Sequence, residues 1–279
     1  MAFDPQALLA MDPIVTHHII TPRDTMLYAL GVGARQLDFI YEETLEALPT
    51  MAVVLAYPGF FWRDPAFGVT WQKVLHGEQS TRIHAPLPVE GTVRGETRIE
   101  AIYDKGADKG SLAFSAREIY DEDGGTHLAT VRMSSFLRGD GGHGGSDGEP
   151  PRPHPVPDRE ADAVVTLPTA ANQAEIYRLS GDYNPLHIDP AVAEAAGFAA
   201  PILHGLCTYG VVGRALLAEL CDNDPTRLTR MDVRFSSPVY PGETIVTEIW
   251  REGDGSASFR ARAAERDLVV INNGYAEFR

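Results

Sequence analysis

Cysteine is almost missing from this 279-residue chain: Cys207 and Cys221 stand alone, fourteen positions apart in what reads as one helix. A rise of 1.5 Å per residue would hold them about 21 Å apart, so they cannot pair, and a disulfide framework is excluded. Both are expected to be buried thiols in a reducing compartment. Long apolar runs are missing too; nothing approaches the ~20 residues of a membrane span, which argues against membrane insertion. The opening MAFDPQALLAMDP carries acids and no basic leader, and the closing Glu277-Phe278-Arg279 is not the Ser-Lys-Leu peroxisomal address, so a cytoplasmic setting is expected. Basic charge is scarce. With 24 Lys and Arg against 39 Asp and Glu the net charge is -15, which excludes general nucleic-acid or anionic-membrane binding and leaves room for only a small basic patch around an anionic ligand.

What the chain does have is enough apolar content, 44%, to build a real core. Residues 139–162, GDGGHGGSDGEPPRPHPVPDREAD, read as a linker in which Gly, Pro and charge leave almost nothing to bury. It separates residues 1–138 from 163–279, and the two halves repeat an order of features. Each opens on a Thr-led apolar helix, TPRDTMLYALG with Thr21 as N-cap and TAANQAEIYRLSG with Thr169 as N-cap. Each closes on alternating strand-like runs that begin at APLPVEGTVRGETRIEAIYDKG and at SPVYPGETIVTEIWREG. The second half holds a long apolar helix, HGLCTYGVVGRALLAELC, where the first has a segment broken by Pro58, Gly59, Pro65 and Gly68. A long helix followed by antiparallel strands predicts an α+β class, with a sheet wrapped around that helix.

The densest chemistry lies in YRLSGDYNPLHIDP, residues 177–190. Gly181 is placed to end a helix, Asn184-Pro185 forces a turn, and Asp189-Pro190 supplies the start of the next helix. Asp182, Asn184 and His187 therefore share a short fixed connection, where a carboxylate and an imidazole can converge on one small molecule, water above all, and a carboxamide can orient it. The same residue types are also ordinary turn formers. A zinc site lacks partners at ligand spacing, and His204 reads as structural. A Ser-His-Asp triad lacks its Gly-x-Ser-x-Gly elbow.

The segment YRLSGDYNPLHIDP followed by GFAAPILHGL resembles the signature of the MaoC-like, type 2, (3R)-specific enoyl-CoA hydratases. The likeness extends in order over nearly the whole chain, through MLYALGVGA, DFIYEE, KVLHGEQ, PLPVEG, YDKG and PVYPGET, to the hydratase unit of peroxisomal multifunctional enzymes type 2. It implies a double hot-dog fold, two antiparallel sheets each wrapped around a helix with the N-terminal central helix reduced, the first half binding acyl and CoA groups and the second carrying the chemistry. It implies reversible hydration of a trans-2-enoyl-CoA to a (3R)-3-hydroxyacyl-CoA, with CoA as part of the substrate, no cofactor and no metal, in a homodimer of such chains.

The resemblance places Asp182, Asn184 and His187 at the family's water-activating positions and Gly205 at its oxyanion position. His76, Gly77, Lys105 and Phe235 fall at acyl-CoA contacts, with Tyr183, Pro185 and Leu186 beside them in the turn. Glu42 and Tyr177 match residues that shape the site. Left open are a dehydratase of steroid side-chain or branched acyl-CoA, a hot-dog thioesterase and a non-catalytic acyl-CoA-binding subunit.

Overall fold

The computed structural model describes residues 2–253 and 255–279. The N-terminal half runs α1 (Pro5–Leu9), β1 (Ile14–Ile20), α2 (Pro22–Gly31), α3 (Leu37–Ile40), β2 (Val74–Ile83), β3 (Gly91–Asp104), β4 (Ser111–Asp121) and β5 (His127–Leu137). The C-terminal half runs β6 (Ala163–Pro168), α4 (Gln173–Tyr177), α5 (Pro190–Ala195), α6 (Gly205–Leu220), β7 (Leu228–Phe235), β8 (Thr244–Arg251), β9 (Ser256–Ala263) and β10 (Leu268–Phe278). Strands β1-β3-β4-β5-β2 of the first half mirror β6-β8-β9-β10-β7 of the second, so the duplication is visible as topology. The fold is the double hot dog. Its two sheets run into one another, because β2 pairs antiparallel with β7 from Glu78↔Arg234 to Arg82↔Arg230 and makes one ten-stranded sheet. Ser80 Oγ donates to Asp232 Oδ1 at 2.6 Å across this seam.

Helix α6 is buried nearly all round, from Cys207 to Leu220, as a helix apolar on every face must be. Both halves cover it. A Cβ at Gly210 would lie 2.3 Å from Val32 Cγ1, and one at Gly213 would lie 2.4 Å from Thr50 Cγ2, so glycine lets the first half press directly onto the helix. Both cysteines are buried and unpaired, Cys207 in α6 and Cys221 at its C-cap.

In the first half, the counterpart of α6 is a single 3-10 turn, Pro49–Val53, followed by short turns at Phe61–Arg63, Pro65–Phe67 and Trp71–Lys73. Part of this segment folds back: Trp62 and Phe67 pack with Phe3, Leu8, Ile102 and Leu137 in a small core of their own. The rest leaves the space beneath the sheet open.

One local expectation needs correction. Thr21 caps α2 as read, in a capping box with Asp24, but Thr169 caps nothing. Its hydroxyl donates to the Glu243 carbonyl at 2.7 Å and accepts from Gly242 N, and α4 starts only at Gln173. Residues 139–162 have no helix or strand, yet they are pinned rather than free. The Asp140 carboxylate, buried, accepts from Thr70 N and Oγ1, the amides of Gly142 and Gly144 donate to Asp104, and His154 bonds Ser258 Oγ at 2.6 Å.

Candidate active site

Short-range capping builds the turn. Gly181 closes the helical segment at φ +117°, a backbone region that glycine enters without strain. Asp182 Oδ1 then accepts from Asn184 N at 3.1 Å, and Asn184 Oδ1 accepts from Leu186 N at 3.1 Å, capping a 3-10 turn over Pro185–His187. Asp189 caps α5 through Ala191 N at 2.9 Å. Asn184 thus serves the turn with its carbonyl oxygen, and it lines the cavity.

The imidazole of His187 is fixed from behind. Its Nδ1–H donates to the Ile202 carbonyl at 2.8 Å, which leaves Nε2 as a lone pair. Burial lowers its pKa, opposed by the Ile202 bond and the Asp182 charge, so it is neutral at pH 7. Asp182, His187 and His204 each bring one donor atom within 4.8 Å of the others, the spacing of a three-ligand metal site. His204 stacks on His187 with ring centroids 3.8 Å apart and donates from Nε2 to the Asp182 carbonyl at 3.2 Å. Burial, with His187 beside it, takes its pKa to about 4, and its buried Nδ1 has no protein partner. Read as structural from sequence, His204 holds both the histidine and the aspartate of the turn in place. Its position next to Gly205 was the only signal of this.

Gly205 opens α6, and its amide finds no acceptor among the described residues, so a free N–H at the positive end of a 16-residue helix faces the cavity. The Phe235 ring lies 3.4 Å from where a Cβ on Gly205 would stand. His76, from the other half, meets that ring edge-on at 4.9 Å, and burial takes its pKa to about 4. Tyr177 is buried against Tyr28 and His204 with its hydroxyl unpartnered. Pro185, Leu186 and the half-exposed Tyr183, whose ring carries Arg178 at 5.0 Å, complete this end.

The cavity holding these groups measures about 1240 Å³. From the turn it extends beneath the open part of the first half, past Val53, Tyr57, Phe60, Phe61 and Trp71. Three expected residues lie outside it. Gly77 sits on a bulge of β2, where a Cβ would be 2.8 Å from Ser134 Oγ, so it shapes the strand that carries His76. Lys105 is exposed beyond β3 in a separate pocket of about 630 Å³ with Lys73, Lys109 and Arg138, a small basic patch on an acidic chain. Glu42 is exposed after α3 and touches no part of the cavity. Tyr57 and Arg117 line the cavity and carried no sequence signal, since both are brought there by tertiary packing.

Fold and site define a two-unit hot-dog protein with its polar turn and helix start in the second unit and much of its cavity wall in the first. Residues 18–139 match the MFE-2 hydratase 2 N-terminal domain and residues 153–273 the MaoC like domain. The chain is 42% identical to 3-hydroxyacyl-thioester dehydratase Y of Mycobacterium tuberculosis, over 100% of its own length and 99% of that protein. It is 40% identical to the "Probable enoyl-CoA hydratase 2" of Dictyostelium discoideum, over 92% and 90%. A crystal structure of a MaoC-like dehydratase from Phytophthora capsici superposes with a TM-score of 0.90 at 38% identity, covering 98% of each chain. The chain belongs to the MaoC-like hydratases that join an MFE-2 hydratase 2 N-terminal domain to a MaoC like domain.

Proposed function

We propose that the protein is a (3R)-specific hydro-lyase that reversibly hydrates a trans-2-enoyl-CoA to the (3R)-3-hydroxyacyl-CoA. The observation that carries this reading is the Asp182–His187 pair set beside the free Gly205 amide in one large cavity. The thioester carbonyl accepts from Gly205 N–H, and the end of α6 favours the negative charge that develops on its oxygen. Water lies between the Asp182 carboxylate and His187 Nε2. As its oxygen bonds C3, the C2–C3 π pair moves into the enolate, and His187 Nε2 takes the proton. The imidazolium so formed is balanced by Asp182 and returns the proton to C2 from the same face, which gives syn addition. Asn184 orients the water, while His76, Phe235, Tyr183, Pro185 and Leu186 bind the thioester end. Lys105, in its basic patch, takes a CoA phosphate. Gly77 and Tyr177 support the site's shape, and Glu42 acts only through the loop after α3.

The reading extends to a homodimer in the cytosol. Apolar Val15 and Ile19, exposed on the edge strand β1, support the first, and two buried unpaired thiols support the second. No helix among the described residues is long and apolar enough to cross a membrane.

Loss of the enoyl-thioester absorbance, with chiral analysis of the product, tests the reaction; a (3S) product would overturn the stereochemistry. The space left by the reduced helix makes chains longer than crotonyl the better substrates. kcat/KM should rise from four carbons to medium length, and a steep decline beyond four would show the Pro- and Gly-rich segment filling the space. The pH profile follows from His187. Its lowered pKa keeps Nε2 free through neutrality, so the acid limb of kcat/KM should fall below pH 6.5, the ordinary histidine value. An acid limb centred above that value would mean the base is another group.

A further inference from the structure

Away from the turn, the cavity wall carries a charge that no carboxylate among the described residues pairs with. Arg117, on β4, is 5% exposed and lines the cavity. Its Nη2 donates to the Val53 carbonyl at 2.7 Å and to that of Ala52 at 3.3 Å, and its Nε has no partner among the described residues. No carboxylate forms an ion pair with it among the described residues. Asp24, an acid that also lines the cavity, is taken up by the Thr21 cap. Burial lowers the Arg117 pKa only to about 10, so the guanidinium stays charged at neutral pH. Buried charge without a counter-charge is costly, and proteins ordinarily pair it.

Polar groups stand beside Arg117 on the β3–β4 side, while Val131 and Met133 flank it on β5. Thr97 pairs directly with Arg117 across β3 and β4, so both side chains share a face of the sheet, and Ser115, two residues before Arg117, shares it too. Both line the cavity; Thr97 is 5% exposed and its hydroxyl is unpartnered. Tyr57 links this patch to the turn. Arg117 stands 5.4 Å from its ring, and burial, with the charge of Asp182, pushes its phenol up to about 12.

We propose that Arg117, Thr97 and Ser115 form a second polar subsite, which takes a hydrogen-bond-accepting oxygen, a carboxylate above all, carried by the acyl group away from the thioester. The inference rests on the acyl-CoA reading of the cavity and adds to it a substrate class: oxygenated rather than plain hydrocarbon chains. The acid brought by the substrate is the counter-ion that the fold omits, and a plain chain of equal length leaves the guanidinium unpaired.

The test uses pairs of trans-2-enoyl-CoAs of equal length, one ending in a methyl group and one in a carboxylate, over several lengths. At one length or more the carboxylate member should have the higher kcat/KM, by about 10-fold or more, the usual worth of a hydrogen bond to a charged group. Arg117→Met should reduce that ratio 10- to 100-fold, and Thr97→Val should reduce it less. If Arg117 only closes the turn at Val53, its substitution would lower both members alike and leave the ratio unchanged, which overturns the subsite. Should Arg117→Met fail to fold, Thr97→Val and the wild-type ratio still decide. Hydration of neither member would sink the proposed reaction itself. Hydration of the methyl member with the carboxylate member disfavoured at every length would sink only the subsite.

Discussion

Asp182→Asn and His187→Ala should each lower kcat by roughly 10²-fold or more, the scale of a lost acid–base group. Folding should survive in both, because the turn is held by other atoms: Asn184 Oδ1 on Leu186 N, the Asp182 backbone carbonyl on His204, and Asp189 on α5. Asn keeps an oxygen that can accept from Asn184 N, so the loss in Asp182→Asn reads on charge. Together the two substitutions should cost far less than the product of the single effects, since the pair serves one water. Circular dichroism with single-turnover hydration of a decenoyl-CoA checks all three variants. Near-normal turnover in either single variant would reduce the turn to a structural element. Gly205 contributes through its backbone, so Gly205→Pro, which removes the N–H itself, should abolish turnover.

The isolated C-terminal half, residues 161–279, should be insoluble or inactive although it holds Asp182, Asn184, His187 and Gly205. It would uncover the β7 edge that β2 now covers and the flank of α6 at Gly210 and Gly213 that Val32 and Thr50 now press. An uncovered strand edge beside an apolar helix is an aggregation site. It would also lose His76 from the ring of Phe235. Expression of the fragment with a solubility and turnover assay decides this; strong activity would mean that the half rebuilds its site by pairing with itself.

The parts legible in the sequence were those whose causes are local. Gly181, Asn184-Pro185 and Asp189-Pro190 set the turn through partners two or three residues away, so reading them forward along the chain was enough. Thr21 was legible for the same reason, and Thr169 was misread because its partners, Glu243 and Gly242, lie over seventy residues on. Residues 139–162 form no helix or strand, and the sequence does not show where they are anchored, on Thr70, Asp104 and Ser258. Arg117 and Tyr57 show the same limit from the side of the cavity: a basic and an aromatic residue on ordinary strand and turn patterns acquire meaning only when β4 and the broken segment are laid together. Gly77 stands out in the sequence only through the resemblance, and the physical reason for a glycine there, the bulge against Ser134, needs the register of β2 on β5.

Joining two hot-dog units in one polypeptide has a consequence for symmetry. In an assembly of identical subunits, whatever shortens the central helix shortens it in every copy, and each copy would lose the helix start that lines the cavity. A tandem chain escapes this constraint. One unit keeps α6 intact with Gly205 at its head, and the other reduces its counterpart to Pro49–Val53 and leaves part of the vacated volume to the cavity. On the proposed reading each chain would give up a second reaction centre and gain reach for larger substrates, a trade open to a broken twofold and closed to a perfect one.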